Sequence, residues 1–382
     1  MKDKSIYFES FIVLLVFLVA GVQGQQQVKW KGTSEVENGI RVVKNPKEAF
    51  YGELKLELQE ELSIGKKSNA EYSFQLISDV KSDNQGNIYI ADTRNVRVQK
   101  IDSNGKYIKT LGKGAVKFQQ PSKIQIDNLL GSIFVRAFVL DIEIFDNRDQ
   151  FKTGIHIKNN PIFEFEAIDD SHVMAVIGLE YHDNDPRVMR AVVRLESGNE
   201  MKYLSREYFN CGLEKIGEGW MGKDTGFESD IYLSRLDEKM YVYGYSKEYE
   251  LNVIDKDGKV LYRIKKNEPR PIFTKDERKI FQRTFVPEFK PYFFHLLSDS
   301  KGRIYVQRNK TKGILNSVQE NTNREVDIFS KDGYFLYTSI LPPNTCEIKN
   351  GFLYAYAVNE ASGLECVKRF KIKNWDQIKA EI

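Results

Sequence analysis

Cysteine and histidine are both scarce in this chain: three of the first and four of the second in 382 residues. Cys211, Cys346 and Cys366 are odd in number, so at least one thiol has no intrachain partner and a fully disulfide-stapled scaffold is excluded. His156, His172, His182 and His295 lie scattered without ligand spacing, which argues against a multi-histidine zinc site. Charge of one sign is also missing. The 57 basic and 54 acidic residues leave +3 spread along the chain, too little field to draw nucleic acid. No Gly-x-Ser-x-Gly elbow and no phosphate loop is present. The longest apolar run, residues 11–22, falls short of the ~20 residues that a spanning helix needs. It leads through Val22-Gln23-Gly24 to the polar Gln25-Gln26-Gln27, the form of a signal peptide over residues 1–24. With no cysteine near that point for a lipid anchor, the expectation is a soluble periplasmic or secreted protein; membrane association would require the signal to stay uncleaved.

What the chain does have is a repeat. Gly86-Asn87-Ile88-Tyr89-Ile90, Gly131-Ser132-Ile133-Phe134-Val135, Ser171-His172-Val173-Met174-Ala175, Glu238-Lys239-Met240-Tyr241-Val242, Gly302-Arg303-Ile304-Tyr305-Val306 and Gly351-Phe352-Leu353-Tyr354-Ala355 each set a turn before an apolar strand. Most are followed by a second strand that runs into an Asn-Gly or Asp-Gly turn, as at Asn104-Gly105, Asp257-Gly258 and Asp332-Gly333, which predicts two-residue hairpin loops. With a strand before the first turn and one after the second, each unit holds four antiparallel strands. Recurring at about 40 to 65 residues, this is the spacing of propeller blades. A hydrophobic content of 41%, with 24 Phe and 20 Tyr, suits sheets packed face to face. The expected fold is all-β: a six-bladed β-propeller filling one domain over residues 25–382, with repeats near 74–111, 121–158, 161–208, 230–266, 293–341 and 345–373.

The last repeat shows only three strands before Asn374-Trp375-Asp376-Gln377, which reads as a short capped helix. Residues 51–64 alternate like a strand and precede the first complete unit. They are expected to complete the last blade and close the ring, removing its open edge. Cys346 and Cys366 fall on the first and third strands of that blade. Two strand spacings put them about 10 Å apart, beyond disulfide reach, so both are expected as buried free thiols.

Residues 79–105, with Gly86-Asn87-Ile88-Tyr89-Ile90-Ala91-Asp92-Thr93, Asn95-Val96-Arg97-Val98-Gln99-Lys100 and Asp102-Ser103-Asn104-Gly105, resemble an NHL repeat. The chain beyond residue 24 is similar to exported bacterial six-bladed propellers of the NHL and TolB-like superfamily. That resemblance implies a protein-binding or ligand-binding scaffold; a minority of related propellers are lyases or metal-dependent lactonases.

Long segments fall between second and third strands (180–190 and 308–325) and between blades (209–229 and 265–293). In a four-stranded blade all these connections leave one face of the disc, and long loops on a rigid frame are the usual carriers of binding residues. Thr274-Lys275-Asp276-Glu277 forms a capping box, predicting a helix over 278–285 in the longest crossing. Just after the second strand of several repeats stand Arg94, Arg136, His182 and Arg308, positions that could ring that face and hold an anionic group. His182-Asp183-Asn184-Asp185 is the one local cluster with hard-cation character, through Asp183 and Asp185. The expectation is a scaffold recognising a protein, peptide or saccharide without chemistry and with no cofactor. The alternative is a hydrolase or lyase with a divalent cation such as Ca²⁺ at the channel mouth, and a third reading is a structural role in an envelope assembly.

Overall fold

The computed structural model describes residues 29–65, 69–114, 116–179, 187–196, 201–210, 213–216, 219–222, 229–273, 275, 289–308, 323–358 and 363–382. The proposed signal segment, Cys211, the helix expected over 278–285, and His182, Asp183 and Asp185 lie outside them.

From Gly32 to Ile382 the chain forms an all-β ring of six blades, each of four antiparallel strands. Blade 1 comprises Ile77–Ser82, Ile88–Asp92, Arg97–Ile101 and Tyr107–Thr110. Blade 2 comprises Lys123–Ile126, Ile133–Phe138, Asp141–Phe145 and Phe151–His156, and blade 3 Ile162–Ala167, His172–Gly178, Arg187–Glu196 and Met201–Asn210. Ile231–Arg235, Met240–Tyr245, Glu250–Asp255 and Val260–Lys266 make blade 4; His295–Ser298, Ile304–Gln307, Arg324–Phe329 and Phe335–Leu341 make blade 5. Blade 6 takes Thr345–Lys349, Phe352–Val358 and Glu365–Ile372 from the C-terminal end of the chain, and Leu58–Ile64 pairs antiparallel with Glu365–Ile372 as its fourth strand. The ends of the ring therefore zip together in one sheet, leaving no open blade edge between them.

Second strands such as Ile88–Asp92 and Ile304–Gln307 are buried at every position, because each is covered on both faces by neighbouring blades. Six apolar clusters follow, one at each junction; Phe134, Phe165 and Val193 join blades 2 and 3, and Phe293, Phe329 and Phe335 join blades 4 and 5. Burial of such rings and branched side chains, at about 25 cal/mol per Å² of apolar surface, is what holds blade on blade.

The hairpin loops are one residue longer than the Asp-Gly signal predicts. Asp102 N–H donates to the Lys106 carbonyl (2.8 Å) and Gly105 N–H to the Asp102 carbonyl (3.0 Å), so Ser103, Asn104 and Gly105 form a three-residue loop. The Asp102 carboxylate decides this by accepting from the N–H groups of Asn104 and Lys106 at 2.9 and 2.8 Å. Gly105 then takes φ +86°, the left-handed position that such loops require. Asp255 and Gly258 repeat the arrangement in blade 4.

An N-terminal arm was not apparent in the repeat pattern. Thr33–Glu37 and Ile40–Asn45 form a hairpin whose second strand lies parallel to Val260–Lys266 on the outer edge of blade 4. Glu53–Leu54 then pairs parallel with Phe335–Leu341 on blade 5, before Leu58–Ile64 completes blade 6. Of the stretch 51–64 expected to close the ring, its latter half does so. Asn45, 2% exposed, donates to the Gly333 carbonyl (2.8 Å) and accepts from Phe335 N–H (2.8 Å), fastening the arm between blades 4 and 5. The terminal helix is a single 3-10 turn, Trp375–Gln377, without a side-chain cap. Asn374 is engaged elsewhere: it accepts from Glu57 N–H at 3.1 Å and donates to the Lys55 carbonyl at 2.9 Å, tying the arm to blade 6. Cys346 and Cys366 are buried and free, as their strand positions require.

Candidate functional site

Innermost strands differ from their neighbours in carrying charge among apolar residues. Asp79 and Lys81, Lys123, Glu164 and Glu166, Arg235, His295, and Glu347 with Lys349 all come from the first strand of a blade. They line a cavity of about 1160 Å³ on the axis, to which all six blades contribute.

Most of these groups stitch one blade to the next. Lys123 of blade 2 forms an ion pair with Glu164 of blade 3. Asp79 accepts from Ile124 N–H at 2.9 Å, joining blades 1 and 2. Glu347 accepts from the N–H and hydroxyl of Ser82 at 2.8 and 2.5 Å, while Lys349 Nζ donates to the Ser82 carbonyl at 2.7 Å, joining blades 6 and 1. Lys81 Nζ donates to the Cys346 carbonyl at 2.8 Å. Burial would raise the Glu164 carboxyl, but Lys123, by charge and hydrogen bond, together with its other basic neighbours brings the acid below its usual range. Burial pushes the Cys346 thiol up to about 12, so it stays protonated.

Three cavity-lining side chains have no such commitment. Glu166 is 7% exposed and has no hydrogen bond or ion pair among the described residues. Burial pushes its carboxyl up to about 7, against the pull of Lys123 and Lys81. His295, at the start of the first strand of blade 5, is likewise unpaired, and burial pushes its imidazole down to about 3, leaving it neutral. Arg324, at the start of the third strand of blade 5, lines the same cavity without a hydrogen bond or ion pair among the described residues. Burial lowers its pKa, and the groups closest to it electrically are the Cys346 thiol and the Tyr356 hydroxyl, not carboxylates.

Of the ring expected from sequence, Arg136 lines the cavity. Its guanidinium donates to the Ser122 hydroxyl (2.8 Å) and to the carbonyls of Ile162 and Phe163 (2.8 and 2.6 Å), so it bridges blades 2 and 3. Arg94 is exposed and is not among the lining residues. Arg308 lies 3.2 Å from Glu268 and 3.6 Å from Asp327, away from the cavity lining. Among the described residues no group of three or more His, Cys, Asp or Glu side chains is arranged to hold a metal ion.

Arg324, His295 and Glu166 were not among the residues singled out from sequence. A signal for two of them exists: charged and polar residues interrupt first strands (ISDVKS, IFEFEA, HLLS) more often than they do second strands such as IYIAD and IYVQ. Position 324 follows a long insertion and carries no comparable mark.

No protein-family model matches the chain, and no curated protein matches it. Among solved structures, a member of the DUF4221 family from Bacteroides vulgatus superposes with a TM-score of 0.52 at 11% identity, covering 83% of this chain and 98% of that one. A protein of Bacteroides fragilis described as exported superposes with a TM-score of 0.52 at 10% identity, covering 87% of this chain and 99% of the other. At such identities the likeness is one of fold.

Proposed function

We propose that this chain is an exported binding scaffold, built from NHL-type repeats of the TolB-like kind, that receives a protein, peptide or saccharide ligand at the mouth of its axial channel. The observation that carries this reading is the cavity of about 1160 Å³ with Arg324, His295 and Glu166 uncommitted within it. Polar groups without a partner among the described residues, Glu166 buried and His295 and Arg324 half-buried, are free to meet a ligand in a cavity of this size. Arg324 and His295 begin the third and first strands of blade 5, which run in the same direction, so both stand toward one face of the disc. Export is supported by the run over residues 11–22 and by the description of the Bacteroides fragilis protein of like fold.

Labelled protein comprising residues 25–382, applied to peptide and glycan arrays, tests the reading beside a His295→Trp variant that fills the channel mouth. The expected result is a set of bound features lost in the variant while its melting temperature is retained. Features that persist in His295→Trp would place recognition elsewhere and refute the channel as the site.

A further inference from the structure

The scaffold reading leaves the ligand's chemistry open, and the cavity itself narrows it. We infer that the channel takes a ligand bearing a single carboxylate, anchored on the guanidinium of Arg324, an assignment that rests on the channel being a binding site.

Other deeply placed cations in the molecule have partners. Lys266 lies 2.7 Å from Asp327, Arg303 lies 2.6 Å from Asp299, and Arg136 donates to two carbonyls. Arg324, by contrast, has neither carboxylate nor carbonyl partner among the described residues. Of the acids lining its cavity, Glu164 is engaged with Lys123, Glu347 with Ser82 and Asp79 with Ile124 N–H, while Glu166 on blade 3 is held largely neutral below about pH 7 by burial. Cys346 and Tyr356, which line the same cavity, both stay neutral because burial raises their pKa values. Arg324 is half-buried, and a guanidinium partly withdrawn from water with no counter-charge among the described residues is placed to attract an anion.

The geometry and charge fit a monoanion. A guanidinium offers a planar fork matched to the two oxygens of a carboxylate. His295, on the same blade and lining the same cavity, is neutral and brings one ring N–H and one acceptor nitrogen, which suits a hydroxyl or amide elsewhere on the ligand. Lys123 and Glu164 cancel one another, and Glu166 adds negative charge as it ionises, so a phosphate dianion would meet more repulsion than a carboxylate. Glu166, 7% exposed and without a partner among the described residues, lines the same cavity from blade 3, two blades round the ring, and is a second group left for the ligand. As an acid it donates to a carbonyl or hydroxyl, and as a carboxylate it accepts from an amide or hydroxyl.

Isothermal titration of the protein with acetate, N-acetylglutamate, glucuronate and inorganic phosphate tests this, with N-acetylglutamine and glucose as neutral counterparts. N-acetylglutamate and glucuronate separate a peptide acid from a sugar acid as the source. The expected result is binding of at least one carboxylate, about tenfold or more weaker for its neutral counterpart and for Arg324→Gln. Arg324→Lys, which keeps the charge and loses the fork, should fall between. Because Arg324 has no partner among the described residues, Arg324→Gln should melt at or above the wild-type temperature. Carboxylate binding unchanged in Arg324→Gln, phosphate binding tighter than every carboxylate, or no carboxylate binding at about 10 mM overturns the assignment. A neutral ligand that binds wild type and Arg324→Gln alike but not His295→Trp also overturns it, and leaves the scaffold reading standing.

Discussion

Asp299 and Arg303 are 4% and 0% exposed and form a buried charged unit at the first turn of blade 5. One Asp299 oxygen accepts from Arg303 Nε at 2.6 Å and from the Tyr305 hydroxyl at 2.8 Å. The other accepts from the backbone N–H groups of Lys301 and Arg303, at 2.9 and 3.1 Å, and shapes the turn. Arg303 reaches on to the Ile378 carbonyl at 3.0 Å and lies 4.3 Å from the centre of the Trp375 ring, so the pair also pins the C-terminal segment. Asp299→Asn keeps an oxygen for the turn but presents an amide donor to a buried guanidinium and a phenol. Removing one partner of a buried ion pair costs about 3–5 kcal/mol, because the other charge is left uncompensated. With unfolding entropy of about 2.1 cal/mol/K per residue over roughly 350 residues, this is a fall in melting temperature of about 4–7 °C. Calorimetry of Asp299→Asn beside the double variant Asp299→Asn, Arg303→Met reads the cause directly. The double variant should recover much of the loss, since it removes the stranded charge. A single variant that melts with the wild type, or a double variant lower than the single, would refute the assignment of the cost to the guanidinium.

Glu166→Gln should flatten one limb of the stability–pH curve. The folded-state pKa of Glu166 is raised from 4.5 to about 7, so its contribution is complete below about pH 4.5 and is lost as pH rises through 7. That loss is worth about 3 kcal/mol by linkage. Urea midpoints should therefore rise in the variant at pH 8 and match the wild type at pH 4.5, and an unchanged pH dependence would contradict the burial of this acid. Asn45→Ala leaves the Gly333 carbonyl and Phe335 N–H without their partner, at about 1–3 kcal/mol for each. Hydrogen exchange should then show residues 33–45 opening ahead of the blades; an arm as protected as in the wild type would show that Asn45 is not its fastener.

The blades were legible because their signals are local. Apolar alternation over four to seven residues and an Asp or Gly at the turn each act within one hairpin, and second strands such as Ile304–Gln307 have no alternative to burial. Closure was legible because a three-stranded last blade and a spare strand before the first form a complementary pair. The parallel docking of Ile40–Asn45 on Val260–Lys266 was not, since the residues concerned are more than 200 positions apart and edge pairing uses backbone groups common to every sequence. The helix cap at Asn374 failed for a related reason: the same side chain has better partners in Lys55 and Glu57, brought to it by that arm. At the site, charges in first strands were visible in the sequence. That Lys123 meets Glu164 while Glu166 meets no partner depends on which blade faces which, a property of the closed ring.

The ring is held together both between its blades and along its axis. Six apolar clusters lie between blades, and buried ion pairs such as Lys266 with Asp327 join blade to blade. On the axis Lys123 with Glu164 and Lys349 with Ser82 do the same, whereas Arg324 and Glu166 have no partner among the described residues. An uncommitted arginine and a buried, unpaired glutamic acid there add cost without structural return, the pattern expected where function opposes stability. Rigidity supplies the compensation. Glu166 and Arg324 stand on strands locked by full ladders in blades 3 and 5, so their separation is set before a ligand arrives and little ordering remains for binding to supply. The arm strengthens this where it matters, since it binds the rims of blades 4, 5 and 6 and thus braces blade 5, the blade that carries both His295 and Arg324, on both sides.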